Sequence, residues 1–411
     1  MDFSFKGSIS REVLNNYLSR AITHTGVGQD CFSPSQTIDD DLRMFINEGA
    51  KFIGRASFAW SETNEIEHFI VARERAEMAH RADPELILQA CVFECITKAF
   101  IDTVPIPDWV FAAFNQPVES RNFSYDKMLN PNGKYVNHWH ENCSVQDITQ
   151  LESRMWIYYR ACAYIRAGYE GIHFGQVHLI GGADEGFRYW KQTTDMVRDF
   201  AQKHARRGYV LFDAHTHGIE VDGVMLFDYN AWPLRLKEVL DHPMECLLEE
   251  GYYDSIFGKS KGGKSPSGWI AESMPFIVEL DNFGKSRFIG QPRHDSHYAW
   301  GYDEITWYSM QSAEYRHHFL RYIWRWVRDR YPEGWVQMPS RRCLTEYIPF
   351  VWDNPDQSWL ERVAKDEFLN YTLEGGRAVI RRRYYSANRQ SDACPFGYGD
   401  EDVIRECFAN P

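Results

Sequence analysis

Long hydrophobic runs are missing from this sequence. No stretch of its 411 residues is long and apolar enough to span a bilayer. The start, Met1-Asp-Phe-Ser-Phe-Lys-Gly, has neither a basic n-region nor an apolar h-region. A soluble, cytoplasmic protein with no membrane partner is therefore expected. Basic charge is also short: 45 Lys and Arg stand against 58 Asp and Glu, a net charge of −13. A phosphate-backbone partner needs clustered cations, so no nucleic acid is expected. Cysteine is odd in number, nine residues scattered mostly inside apolar segments. Reduced, buried thiols fit that pattern better than a disulfide framework. No internal repeat is evident.

Aromatic residues are abundant: 15% of the chain, including 14 Trp and 23 Tyr. Rings with an apolar face and a polar tip suit sugar surfaces, although a large aromatic core would use them equally. The length is enough for one large α/β barrel with extensions.

Periodicity predicts an alternation of strand and helix. Strands are expected over 18–24, 50–60, 86–94, 171–178, 209–215, 247–257, 274–284 and 335–338. Helices are expected over 8–20, 39–49, 65–81, 148–168, 187–206 and 303–330, the last capped by Asp303. A short extra strand is read at 224–228, one or two helical turns at 233–239, and a Gly- and Ser-rich flexible loop at 258–268. A long connection, 102–148, is rich in Pro, Asn and aromatics, and loops of that length in compact domains are often functional. Eight strand segments whose interiors are apolar and whose ends are polar predict a (β/α)8 TIM barrel over 1–345, with long loops. Residues 346–411 are expected as a C-terminal extension packed on the barrel.

The organising stretch is Met274-Pro-Phe-Ile-Val-Glu-Leu-Asp-Asn-Phe-Gly284. Strand alternation puts Ile277, Glu279 and Asp281 on one face and Phe276, Val278 and Leu280 on the other. If helices cover the second face, the carboxylates point into the mouth of the barrel, where such folds keep their active sites. Other acid-ended strands supply Glu94, Asp213 and Asp228. Hydrolysis of a glycosidic bond needs one acid to protonate the leaving oxygen and one carboxylate to attack or to activate water. Arg55, Trp60, His138, Trp139, Gln176, His215 and Trp300 are read as substrate-binding residues beside Asp228 and Asp281. A single acid is more often a cap or an ion-pair partner than a catalyst, so the reading rests on several converging together.

Two motifs point elsewhere. Residues 258–265, Gly-Lys-Ser-Lys-Gly-Gly-Lys-Ser, match G-x4-G-K-S, but Pro266-Ser-Gly-Trp follows where a phosphate loop must open a helix. Asp213-Ala-His-Thr-His217 resembles the His-x-His strand end of metal-dependent amidohydrolases, with His242, His294 and His297 as further ligands. In that superfamily the pair closes the first barrel strand, whereas here it falls near the fifth.

With Glu279 at the end of the seventh expected strand, the chain resembles the clan of barrel glycoside hydrolases whose nucleophile ends strand seven and whose acid ends strand four. Strand four here reads His-Phe-Gly-Gln-Val, placing the neutral Gln176 where that clan has its acid. Ile9-Ser-Arg-Glu-Val-Leu, Gly171-Ile-His-Phe-Gly-Gln-Val, Gly301-Tyr-Asp-Glu-Ile-Thr-Trp and Gln337-Met-Pro further resemble a bacterial family of glycoside-hydrolase-like barrels without a settled activity. That resemblance covers about the first 345 residues and implies the fold and a sugar-processing context, without assigning catalytic residues.

The expectation is a carbohydrate-active hydrolase needing no cofactor or metal and acting on a small glycoside or oligosaccharide. Glu279 would be nucleophile or base, and Asp213, or Glu94 in its place, the proton donor. A His-x-His metal hydrolase or isomerase and a non-catalytic sugar-binding barrel are the alternatives. A homo-oligomer is compatible with either.

Overall fold

The computed structural model describes the chain except for residues 30–33, 61–62, 293–296, 354–356, 364–368 and 411. Eight parallel strands form the barrel: β1 (Ala21–His24), β2 (Phe52–Ser57), β3 (Ile87–Cys91), β4 (Gly171–His173), β5 (Leu211–Asp213), β6 (Asn230–Pro233), β7 (Phe276–Glu279) and β8 (Gly334–Asp353). The ladder runs from β6 through β7, β8, β1, β2, β3 and β4 to β5. It is brought to near closure by a parallel bridge between His215 and Ala231. The first seven strands are four to six residues or shorter and almost wholly buried, as expected of parallel strands covered on both faces.

The main helices are α1 (Arg11–Leu18), α2 (Ile38–Glu48), α3 (Glu65–Ala82), α4 (Leu151–Ala167), α5 (Arg188–His204), α6 (Ala313–Arg330) and α7 (Glu401–Ala409). Their ends follow local chemistry. Ser10 accepts from the Val13 N–H to start α1, and Gly168, at φ 102°, closes α4 in the left-handed region that glycine tolerates. Asp303 caps as expected, accepting the Thr306 N–H at 2.8 Å. It opens only Glu304–Ser309, after which Ser312 recaps α6.

Two expectations are corrected. The sixth strand is Asn230–Pro233, whose register pairs Pro233 with Glu279. Segment 247–257 contributes only the end of a two-residue pairing between Lys237–Glu238 and Cys246–Leu247, which also replaces the turns expected at 233–239. The short extra strand expected at 224–228 is present over Val224–Met225, in a small hairpin with Glu220–Val221 outside the barrel ladder. Among the described residues no helix lies between β5 and β6 or between β6 and β7. Residues 263–264 pair antiparallel with 270–271, so the G-x4-G-K-S match opens no helix.

Beyond the barrel, β8 continues and pairs antiparallel with β10 (Arg377–Ser386), which also pairs with β9 (Leu369–Glu374). Helix α7 packs against α2 and α6. No helix among the described residues is long and apolar enough to cross a membrane.

Candidate functional site

Glu279 ends β7 in register with Pro233 on β6 and Gln337 on β8. Its side chain, with Ile277, faces a cavity also lined by Arg55, Gln89, His173, Asp213, Ala231, Trp232 and Gln337. The cavity is so narrow that roughly one water molecule fits.

Arg55 reaches this point because β2 is irregular. Its register against β3 shifts between Ile53 and Ser57, and Arg55 adopts φ 54°. Such a bulge re-aims a side chain, and the left-handed backbone of a non-glycine residue costs about 1–3 kcal/mol that its contacts must offset. Those contacts are strong. Arg55 Nε donates to Glu279 Oε1 at 2.6 Å, and Nη2 donates to the same oxygen. Nη2 also lies 3.1 Å from His215 Nε2 and 3.6 Å from Asp281 Oδ1. The other carboxylate oxygen, Glu279 Oε2, accepts from Thr23 Oγ1 at 2.8 Å and Gln337 Nε2 at 3.4 Å. Gln337 can lie across β2 because residue 54 is glycine: a Cβ there would come within 2.3 Å of Gln337 Nε2. Asp281 is held by Arg342.

The two carboxyls that line the cavity are driven in opposite directions. Burial pushes Glu279 up, but Arg55 and Arg342 overcome it and hold the group far below the usual carboxylate range. Asp281 is lowered by the same contest. Asp213 is pushed up to about 7 by burial, which its hydrogen bond with Tyr229 and the charge of Arg55 only partly oppose. Gln89 Nε2 donates to Asp213 Oδ1 at 2.7 Å, and His173 Nδ1 lies 2.7 Å from Asp213 Oδ2. Burial also brings His173 and His215 down to about 3, so both rings are neutral at pH 7. A protonated Asp213 then donates to His173 Nδ1, which leaves the Nε2–H of His173 buried and without a partner among the described residues. That donor remains available to a molecule in the cavity.

The other expected residues divide. Trp60 packs on Trp139 and on Phe93 with ring centroids 5.5 and 5.2 Å apart, and His138 packs on Trp139 at 4.6 Å. Phe93 continues the series to His173 at 5.9 Å and lies under the Arg55 guanidinium at 5.6 Å. This aromatic rim connects the exposed loop to the cavity wall. Glu94 is buried and raised, chiefly by burial, and accepts the Gln176 N–H at 3.1 Å. It is not among the residues lining the cavity, and Gln176 is exposed.

Two expected residues are not brought to the site. Asp228 accepts from Tyr209 Oη, from the Phe212 N–H at 2.8 Å and from Arg198 at 3.1 Å, which ties the β5–β6 connection to α5. Trp300 is buried against the 238–246 segment, donating its indole N–H to the Glu245 carbonyl at 2.9 Å. Conversely, His173, Gln89, Thr23, Gln337, Arg342, Tyr229 and Phe93 were not anticipated. Only register could have found most of them, since Gln89 and His173 read as ordinary members of apolar strands.

For a metal, His215, Glu279 and Asp281 offer donor atoms within 4.8 Å of one another. The Arg55 guanidinium touches all three, so it fills the cation position itself. His217 turns away to donate its Nε2–H to the Asp254 carbonyl, 3.0 Å distant, and its ring packs on Trp232. The His-x-His pair therefore does not converge. His294 lies outside the described residues. A Ser–His–Asp series also occurs, with Ser340 Oγ 2.8 Å from His24 Nδ1 and Asp41 3.3 Å from His24 Nε2. All three side chains are fully buried, which denies a substrate access and makes the series a tie between β1, β8 and α2.

No family model and no curated protein matches the sequence. Among solved structures, the chain is similar to the Nostoc punctiforme debranching enzyme, at 11% identity and a TM-score of 0.33, over 56% of this chain and 53% of that one. The match thus spans about half of that enzyme's length. It is similar to the glycoside hydrolase domain of PelA from Pseudomonas aeruginosa, at 9% identity and a TM-score of 0.30, over 64% of this chain and 83% of that one. A third likeness is to the alpha-amylase of Geobacillus thermoleovorans complexed with acarbose, at 9% identity and a TM-score of 0.35, over 66% of this chain and 63% of that one. Likenesses at this level carry no argument about chemistry, and the barrel stands on its own strand pairing.

Proposed function

We propose that the chain hydrolyses a glycosidic bond in a small glycoside or oligosaccharide. One observation carries this reading: two carboxyls facing one cavity, Glu279 held ionised and Asp213 raised to about 7. Environments that separate a pair of titratable groups in this way define an acid and a base. Asp213, through its contact with His173, supplies the proton to the leaving oxygen. Glu279 attacks the anomeric carbon or activates water. Glu94 is the substitute donor. Arg55, His215 and Asp281 position substrate hydroxyls, and Trp60, His138 and Trp139 meet the sugar at the rim, with Gln176 beside them. A pyranose ring is larger than the present cavity, so binding must shift Arg55 or the aromatic rim. The division into a barrel over 1–345 and an extension over 346–411 belongs to the same proposal.

The test is turnover on a panel of aryl glycosides and oligosaccharides. Asp213→Asn should lose most activity on substrates with poor leaving groups and much less on nitrophenyl glycosides, whose departure needs no proton. Glu279→Gln should lose activity on all of them. Equal losses across the leaving-group series remove Asp213 as the acid.

A non-catalytic sugar-binding barrel is the second reading, favoured by the complete occupation of Glu279 by Arg55, Thr23 and Gln337. It requires saturable carbohydrate binding with no turnover on any substrate in the panel.

A further inference from the structure

Cys95 and Cys143 face each other on a small ribbon in which Cys95–Thr97 pairs antiparallel with Cys143–Val145. Cys95 is opposite Val145 and Cys143 opposite Thr97, a diagonal pair whose side chains share one face. Their Sγ atoms are 3.3 Å apart, roughly 1.3 Å more than a disulfide bond length. Both are buried, at 8% and 2% exposure, but residues 137–142, immediately before Cys143, are exposed. A small molecule reaches Cys143 only where that short loop opens.

We propose that Cys95 and Cys143 form a reversible disulfide by exchange with a small disulfide of the glutathione class. Cys143, as thiolate, attacks one sulfur of the reagent and expels one glutathione thiolate, leaving a mixed disulfide. Cys95 gives up its proton and attacks Cys143 Sγ, and the second glutathione leaves as thiolate. The two cysteine protons pass to the leaving thiolates or to solvent. Both cysteines are oxidised and one molecule of glutathione disulfide is reduced to two thiols.

The bond would close the 96–142 excursion at its base. Phe93 and Glu94 immediately precede Cys95, and the Trp139 N–H donates to the Cys143 carbonyl at 3.3 Å. The crosslink therefore joins the two chain segments that build the aromatic rim, and it is independent of the hydrolase reading.

The full-length protein should be incubated with oxidised glutathione or with dithiothreitol, then denatured for thiol counting and digested without reduction for mass spectrometry. The reduced chain carries nine thiols. Oxidation should remove two of them and yield one crosslinked peptide pair containing Cys95 and Cys143. The thermal midpoint should rise by roughly 2–5 °C, and amide exchange should slow over 134–142. Cys95→Ser and Cys143→Ser should each abolish the crosslink and the rise, with Cys143→Ala used if a buried hydroxyl prevents folding. Retention of all nine thiols, glutathione adducts without the crosslink, or a bond between other cysteines would overturn the proposal.

Discussion

Asp213→Asn should become progressively stabilising as pH rises through the neutral range. The wild-type carboxyl is moved from 3.8 to about 7 by burial beside β4 and β6. The fold therefore prefers its protonated form, and the unfolded chain releases that proton near 3.8. The stabilisation is complete below 3.8, is lost as pH rises through the window up to 7, and is flat above it. Its full size is about three pH units, or roughly 4 kcal/mol at 1.36 kcal/mol per unit. Asparagine copies the neutral acid: its carbonyl accepts from Gln89, its amide donates to His173, and it has no proton to lose. Guanidinium titrations of both proteins at pH 5, 6, 7 and 8 measure the difference. Glu304 and Asp303, also raised by burial to about 8 and about 6, are common to both and cancel. From pH 5 to 7 the variant should gain roughly 2 kcal/mol on the wild type. A difference that stays constant, or that moves toward the wild type, refutes an Asp213 held neutral by the fold. Gaining stability while losing activity is the trade-off expected of a strained functional group.

Further perturbations separate chemistry from architecture. Glu279→Gln should lower kcat on any accepted glycoside by roughly 10²–10⁴-fold, with the barrel's circular dichroism retained. Arg55→Met leaves Glu279 and Asp281 buried beside each other without their shared cation, and denaturant unfolding should show a loss of about 3–5 kcal/mol; an unchanged midpoint would mean that the clamp contributes nothing. Trp139→Ala should raise KM severalfold with kcat and thermal midpoint nearly unchanged, because the ring sits on the rim and outside the core. Asp228→Asn should lower the thermal midpoint while leaving turnover per folded molecule intact, since its partners are Tyr209, Phe212 and Arg198.

How far the fold was legible depended on how much pattern each element carries. Strands β2 and β3 are apolar runs between polar turns, and α4 ends at a glycine, so both kinds of element stood out locally. Strand β6 did not: Asn230–Pro233 is four residues ending in proline, and its strand character comes from pairing with β7, 46 residues later in register. The longer apolar segment at 247–257 looked more strand-like and lost, because nothing in its own composition reveals that the ladder is already complete. Asp228 and Trp300 were grouped with the site by chemical type alone, and their actual partners lie on neighbouring connections. Arg55 was anticipated as a residue but not as a clamp, since the bulge that turns it inward depends on the register of β2 against β3.

Composition and periodicity by themselves determined the alternation of strand and helix, the burial of the strands and the presence of acids at their ends, because these follow from local spacing and transfer from water. Tertiary structure alone decided which acid is charged. Glu279 meets Arg55 across 224 residues of sequence, and Asp213 meets Gln89 across 124. A carboxyl's proton affinity is set by the dielectric and the charges within a few ångströms, and only the closed barrel brings those together.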